Sequence, residues 1–387
     1  MPTTYAVLGS HPDLTELELS ALLPITPRRL NDQIADLGEV EVDLGELQNK
    51  LGGTIKLLTQ VSKISLAEDA ELADAASQIE TELVKALKTA PTKSATSAQV
   101  NFGLTILTKK IEPSPFKVKK ELSGLGVSAR FRDGGDKHGL SAALLLDEIV
   151  TEIFVFEDGA DLILAQTKTW QDIDLWSKHD RGRPFADRKR GMLPLKVARI
   201  MVNLATGGHT DHHLYDPFCG AGSILQEALT LGMSCVGSDL SQAALTGTQQ
   251  NLEWFLEHST NKDLETPQLF QAEVAQVKVK HFDKRPSVIV TEPFLGKPQA
   301  REQDLPNIYK GLYKLYKGAL HTWQEILPAG AKLAIVFPSV EATGQTFNLK
   351  VLIDELDTLG YNIVSGPVRY ARPNAQTIRE IYVLETK

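Results

Sequence analysis

Three short segments of this 387-residue chain combine residue types that can hold a ligand and act on it. The first is Asp216-Pro217-Phe218-Cys219-Gly220-Ala221-Gly222, with Ser223 opening a helix behind it. Gly220 and Gly222 let the backbone come within van der Waals distance of a ligand that a side chain would exclude. The spacing is not the GxGxxG of dinucleotide sites and no GxxxxGK[ST] occurs, so phosphate cradling is not favoured. The second segment, SCVGSDL, puts Asp239 at a strand tip with Leu240 after it. An acid about 20 positions beyond a glycine turn accepts hydrogen bonds from ribose hydroxyls. Asp239 could instead cap the helix SQAALTG, but beside the glycine segment the ribose role is favoured. The third, SVIVTEPFLGKP, ends a strand with Glu292-Pro293-Phe294, a carboxylate followed by an aromatic ring. Strand ends are where doubly wound sheets place function; the alternative is a plain strand-end carboxylate and a core phenylalanine. Glu273, closing QLFQAE, suits an adenine amino group or an ordinary surface position.

These residues need a scaffold that brings strand ends together, and the pattern from residue 191 onward supplies one. HLYDP, SCVGSDL, QLFQAE, SVIVTEP and AKLAIVFP read as strands, separated by the helical stretches SILQEALTLG, SQAALTGTQQNLEWFLE and one running to Leu327. Continuous apolar strands alternating with helices predict a mostly parallel sheet covered on both faces. A helix to Leu359 follows, then YNIVSGPVRY and TIREIYVLE, which should pair antiparallel at one edge. Upstream, TYAVLGS, the helix LTELELSALL, a turn at Gly52-Gly53 into a strand, and helical spacing over 66–90 form a first α+β unit. NFGLTILTKK, PSPFKVKKELSGLG, VSARFRD, GLSAALLLDEIV and the hairpin EIFVFEDGADLILAQT form a second.

DPFCGAGSILQEA, the following GSDLS, and NLEW around Asn251 resemble class I methyltransferases, specifically the THUMP-domain tRNA guanine-N2 methyltransferases. QDIDLWSKHDRGRPFADRKRGMLPLKVARIMVNLA is similar to the linker and leading helix of that family, and YAVLGSHPDLTELELSAL to its N-terminal ferredoxin-like module, so the resemblance covers nearly all of the chain. It implies an α/β fold with a Rossmann-like class I methyltransferase domain at 191–387. An α+β ferredoxin-like module (1–90), a THUMP-like RNA-binding module (91–166) and a basic linker (167–190) precede it. It also implies S-adenosylmethionine as cofactor, held by 216–222, Asp239, Leu240 and Glu273, and tRNA as substrate, gripped near its acceptor end and methylated at a guanine of the position-10 type.

The family carries Asp-Pro-Pro-aromatic where this chain has Glu292-Pro293-Phe294-Leu295. An exocyclic amine is a poor nucleophile because its lone pair is delocalised into the ring. A carboxylate and a backbone carbonyl that accept its two N–H bonds favour a pyramidal nitrogen, and the ring stacks the base. Catalysis of this kind is orientation plus preorganised electrostatics. Here Glu replaces Asp and the aromatic arrives one position early. Two further readings therefore stand beside guanine-N2 methylation: N6-adenine methylation of RNA or DNA, and an RNA-binding protein whose methyltransferase domain is inactive.

Composition sets the remaining bounds. The net charge of −8 runs against nucleic-acid binding, because phosphate contacts need a basic surface. The charge is uneven, however: residues 178–190 (KHDRGRPFADRKR) hold six Lys/Arg against two Asp, whereas 11–50 hold nine Asp/Glu against three Lys/Arg. Lys178, Arg181, Arg183, Arg188, Lys189 and Arg190 are the candidate RNA contacts, and the five lysines of 109–120 make a second basic run. Trp170 and Trp176 can stack on RNA or cement an interface between domains. His209, His212 and His213 lack a carboxylate at ligand spacing, so no metal is expected. Cys219 has no paired base and reads as packing. No secretory signal or membrane span is expected, and two cysteines fit a reducing cytoplasm. Whether a small activating subunit joins the tRNA as a partner is open at this point.

Overall fold

The computed structural model describes residues 1–65, 72–91, 99–108, 111, 113–133, 135–186, 192–342, 344–372 and 375–387. It divides into two compact units, Met1–Ile173 and Asp174–Lys387.

The first unit comprises β1 (Thr4–Leu8), α1 (Pro12–Leu22), β2 (Arg28–Arg29), β3 (Ile34–Gly38), α2 (Leu44–Lys50), β4 (Thr54–Ser65), α3 (Leu72–Lys88), β5 (Gln99–Ile106), α4 (Pro115–Gly124), β6 (Ser128–Phe131), α5 (Ala142–Glu148), β7 (Val150–Asp158) and β8 (Asp161–Trp170). All eight strands join one sheet in the order β2-β3-β1-β4-β8-β7-β5-β6. The stretches 1–90 and 91–166, expected as successive modules, thus meet in a single sheet through the antiparallel pairing of β4 with β8. A buried ion pair crosses the same region: Lys56 Nζ donates to Glu152 Oε2 at 2.7 Å, and Glu152 also accepts from Leu140 N and Thr167 Oγ1. Strand alternation sends Ala6 and Leu8 to one core cluster and Tyr5 and Val7 to another, so both faces of β1 are buried. In α3, Ala75, Ile79, Leu83 and Leu87 recur every fourth residue and pack on Phe102, Ile153 and Leu164.

The second unit comprises α6 (Ile173–Arg181, all but its first residue), α7 (Leu195–Thr206), β9 (His213–Asp216), α8 (Ser223–Thr230), β10 (Ser234–Asp239), α9 (Gln242–His258), β11 (Gln268–Gln271), β12 (Val288–Thr291), α10 (Leu305–Ile326), β13 (Lys332–Ala342), β14 (Gln345–Phe347), α11 (Lys350–Asp354), β15 (Tyr361–Tyr370) and β16 (Thr377–Thr386). Its sheet runs β11-β10-β9-β12-β13-β16-β15, parallel from β11 to β13, with β16 antiparallel to both of its neighbours. The order reverses between β9 and β12, which opens a crevice at their carboxyl ends. The stripe Tyr309, Leu312, Tyr316, Ala319, Trp323 and Ile326 of α10 closes one face of the sheet over Ile289, Ile335 and Phe337.

Several elements differ from the sequence reading. The β2–β3 pair and α2 occupy a polar, acidic stretch where no apolar period marks them. The linker stretch contains α6, which has no fully buried residue and so no core stripe to betray it. The helix expected to reach Leu359 is confined to Lys350–Asp354, with hydrogen-bonded turns beyond it.

Candidate active site

Each site segment is a loop leaving a strand tip. After β9 the chain turns through Asp216, which is fully buried; its Oδ1 accepts from Phe218 N at 3.1 Å and from Thr291 Oγ1 at 2.8 Å. This one carboxylate therefore ties the glycine loop to the end of β12. Burial, and secondarily the neighbouring charges of Asp239 and Glu292, push its pKa up to about 7. Gly220 and Gly222 take left-handed φ values of 53° and 81°. A Cβ on Gly220 would meet nothing nearer than Phe218 O at 3.8 Å, so open space lies on that side; one on Gly222 would meet Thr248 Cγ2 at 3.0 Å. Gly220 thus faces the ligand side, and Gly222 lets the loop pack on α9.

Asp239 ends β10, as expected. Its Oδ2 accepts from Gly220 N at 3.1 Å and its Oδ1 from Ser241 N at 2.8 Å. The helix cap is Ser241, whose hydroxyl accepts from Ala244 N. Each Asp239 oxygen keeps a lone pair for a ribose hydroxyl.

Asp216, Phe218, Cys219, Gly220, Ala221, Asp239, Leu240, Glu292, Pro293 and Phe294 line one cavity of about 460 Å³, within the ~300–1,000 Å³ of small-molecule sites. Pro217 and Gly222 support the loop from outside that lining. Glu273 is not in it; it is exposed and accepts from Gln276 Nε2 at 2.7 Å. Cys219 is buried, which pushes its thiol well up, and it packs near Thr248. The open face at Gly220, the carboxylate at the β10 tip and an enclosing apolar wall suit a nucleoside with a short apolar-polar tail, so the residues fit S-adenosylmethionine.

At the β12 tip, Glu292 forms an ion pair with Arg379 Nε of β16. Pro293 is buried, while Phe294 is 54% exposed at the cavity mouth. Phe294 O accepts from the Tyr316 hydroxyl of α10 at 3.3 Å. Arg379, Tyr316 and Thr291 have no local sequence signal; they reach the site only because the sheet and α10 bring them there.

The basic run divides. Lys178 and Arg181 stand exposed on α6. Arg183, expected as an RNA contact, is instead 7% exposed and donates to Ser223 Oγ at 2.9 Å and Asp180 Oδ1 at 3.0 Å. It anchors the chain at the start of α8 and is not available to phosphate. Arg188, Lys189 and Arg190 lie outside the described residues. Asn251, the first residue of NLEW, accepts from Phe185 N at 2.9 Å and donates to Phe185 O at 3.0 Å and Ala221 O at 2.9 Å. It locks the 182–186 stretch to the glycine loop. Trp176 lies under Lys196 and Arg199 at 5.7 and 5.0 Å, which fixes α6 on α7. Among the described residues no group of three or more His, Cys, Asp or Glu could hold a metal ion, and no helix is long and apolar enough to cross a membrane.

The family described as "RMKL-like, methyltransferase domain" matches residues 183–350. The tRNA (guanine(10)-N2)-dimethyltransferase of Pyrococcus abyssi is 26% identical over 228 residues, 57% of this chain and 60% of that protein. A protein of Methanothermococcus thermolithotrophicus named "Probable tRNA (guanine(10)-N2)-dimethyltransferase" is 30% identical over 124 residues, 32% of this chain and 74% of the relative. The chain belongs to this methyltransferase family. Its methyltransferase domain takes S-adenosylmethionine as cofactor. The chain spans only 60% of the length of the Pyrococcus protein, and 42% of the corresponding Methanothermobacter thermautotrophicus protein. Crystalline TrmN from Thermus thermophilus shares the fold over the full length of both chains, with a TM-score of 0.53 at 17% identity.

Proposed function

We propose that this chain transfers a methyl group from S-adenosylmethionine to an exocyclic base amine in tRNA, the N2 amine of a guanine of the position-10 type. The observation that carries the reading is the convergence on one cavity of the glycine loop, Asp239 and the Glu292-Pro293-Phe294 turn. The cofactor supplies a methyl group on a sulfonium. The chain's residues supply the rest. Asp239 orients the ribose, and the Gly220 backbone admits the ligand. Glu292 accepts one N–H of the amine through the oxygen not bonded to Arg379. The Pro293 carbonyl is the second acceptor, and the exposed Phe294 ring stacks the base, a contact worth ~1–3 kcal/mol.

In this reading Met1–Ile173 serves RNA capture, with 1–90 as ferredoxin-like and 91–166 as THUMP-like parts of one sheet. Lys178 and Arg181 meet phosphate. The names of the relatives, which act on guanine 10 of tRNA, favour guanine over adenine.

The test is incubation of the protein with unmodified tRNA and S-adenosylmethionine, followed by mass spectrometry of the nucleosides. N2-methylated guanosine is the expected product. Methylated adenosine would move the assignment to the adenine amine. Cofactor binding without any methylated nucleoside would favour the binding-only reading.

A further inference from the structure

The Glu292 carboxylate sits on a longer side chain than an aspartate, with one more rotatable bond between backbone and acceptor. An acceptor that must meet one N–H of a bound amine loses orientation with each free torsion. The structure removes this freedom from across the sheet. Arg379 projects from β16, which is separated from β12 by β13, and its Nε donates to Glu292 Oε1. Arg379 is itself held. It is 7% exposed, its strand neighbours are Pro338 on β13 and Tyr370 on β15, and its guanidinium lies over the Tyr370 ring at 5.7 Å. A guanidinium is always charged and its donors have a fixed planar geometry. The carboxylate is thus gripped at one oxygen by a buried, strand-borne guanidinium. The same loop is held a second time at Phe294 O by the Tyr316 hydroxyl, and Tyr316 is fully buried against Phe337. Burial raises the Tyr316 phenol well above its ordinary value, so it stays a donor.

We propose that Arg379 is a positioning residue for methyl transfer, acting through Glu292: it pins one carboxylate oxygen and presents the other to the amine. The proposal rests on the reading that Glu292 receives the target amine.

Arg379→Met, Arg379→Lys, Glu292→Gln and the Arg379→Met/Glu292→Gln double variant are compared with the wild type in single-turnover methylation of tRNA, with cofactor affinity measured by calorimetry to verify folding. Arg379→Met is expected to slow the transfer step about tenfold or more, somewhat below the ~10²-fold typical of losing a direct electrostatic contact. The KM for tRNA and the cofactor affinity should stay near wild type. Arg379→Lys should recover part of the loss, because the charge returns without the fixed fork. In the Glu292→Gln background, Arg379→Met should cost little more, since groups acting as a unit are non-additive. A wild-type transfer rate in Arg379→Met, or full additivity with Glu292→Gln, overturns the proposal while leaving the site reading intact. An unchanged rate in Glu292→Gln alone would overturn the site reading, and this proposal with it.

Discussion

Asp216→Asn probes the most unusual electrostatic feature of the site. The Asp216 carboxyl is fully buried, and desolvation lifts its pKa from 3.8 to about 7. The folded state therefore binds a proton that the unfolded chain has released wherever the pH lies between the two values. Stability must fall as pH rises through that window. A tenfold difference in proton affinity between the folded and unfolded chain corresponds to about 1.4 kcal/mol. This one group therefore removes about 3 kcal/mol of stability between roughly pH 5 and pH 8. Asparagine preserves the Oδ1 acceptor for Phe218 N and Thr291 Oγ1 but does not titrate. Its NH2 needs a partner, at a pH-independent cost of about 1–3 kcal/mol if none is found. Asp216→Asn is thus expected to be the less stable protein at pH 5 and to equal or surpass the wild type at pH 8. The assay is denaturant unfolding of both proteins at several pH values, followed by tryptophan fluorescence. Three of the four tryptophans, Trp176, Trp254 and Trp323, belong to Asp174–Lys387. All other titrating groups are common to both proteins, so the difference between their curves isolates residue 216. Parallel pH dependences would refute the assignment and mean that water or a nearby cation solvates the carboxylate.

Asp239→Ala removes an acceptor that also holds Gly220 N and Ser241 N; cofactor affinity in calorimetry should fall by roughly 1.5–3 kcal/mol, and an unchanged affinity would exclude Asp239 from the site. Phe294→Ala should raise the KM for tRNA by the stacking energy of ~1–3 kcal/mol and leave cofactor affinity intact. Gly247→Ala places a Cβ 2.2 Å from Phe185 Cδ1; overpacking of this kind costs about 1–3 kcal/mol, which a lowered melting temperature would register. Asn251→Ala leaves the Phe185 amide and the Ala221 carbonyl without their side-chain partner, and about 1–3 kcal/mol of stability should be lost in the same melt.

The amino-acid sequence by itself determined the strand–helix alternation of the C-terminal part, the glycine loop and the acid at the next strand tip. Each of these rests on local chemistry: apolar period, glycine's tolerance of positive φ, and a strand end that precedes a helix. It also placed the Glu292 turn at the end of a strand. Tertiary structure decided what those residues meet. Arg379 lies 87 positions from Glu292 and Tyr316 lies 22 from Phe294, and only the order β12-β13-β16 and the seating of α10 bring them together. Composition marked Arg183 as one more surface cation, yet packing turned it inward onto Ser223. Charge counts along a chain carry no information on which side of the backbone is buried. Likewise the two halves of the N-terminal unit read as separate modules because each has its own local periodicity. Their union depends on β4 pairing with β8 about a hundred residues later, and strand partners that distant leave no trace in local periodicity.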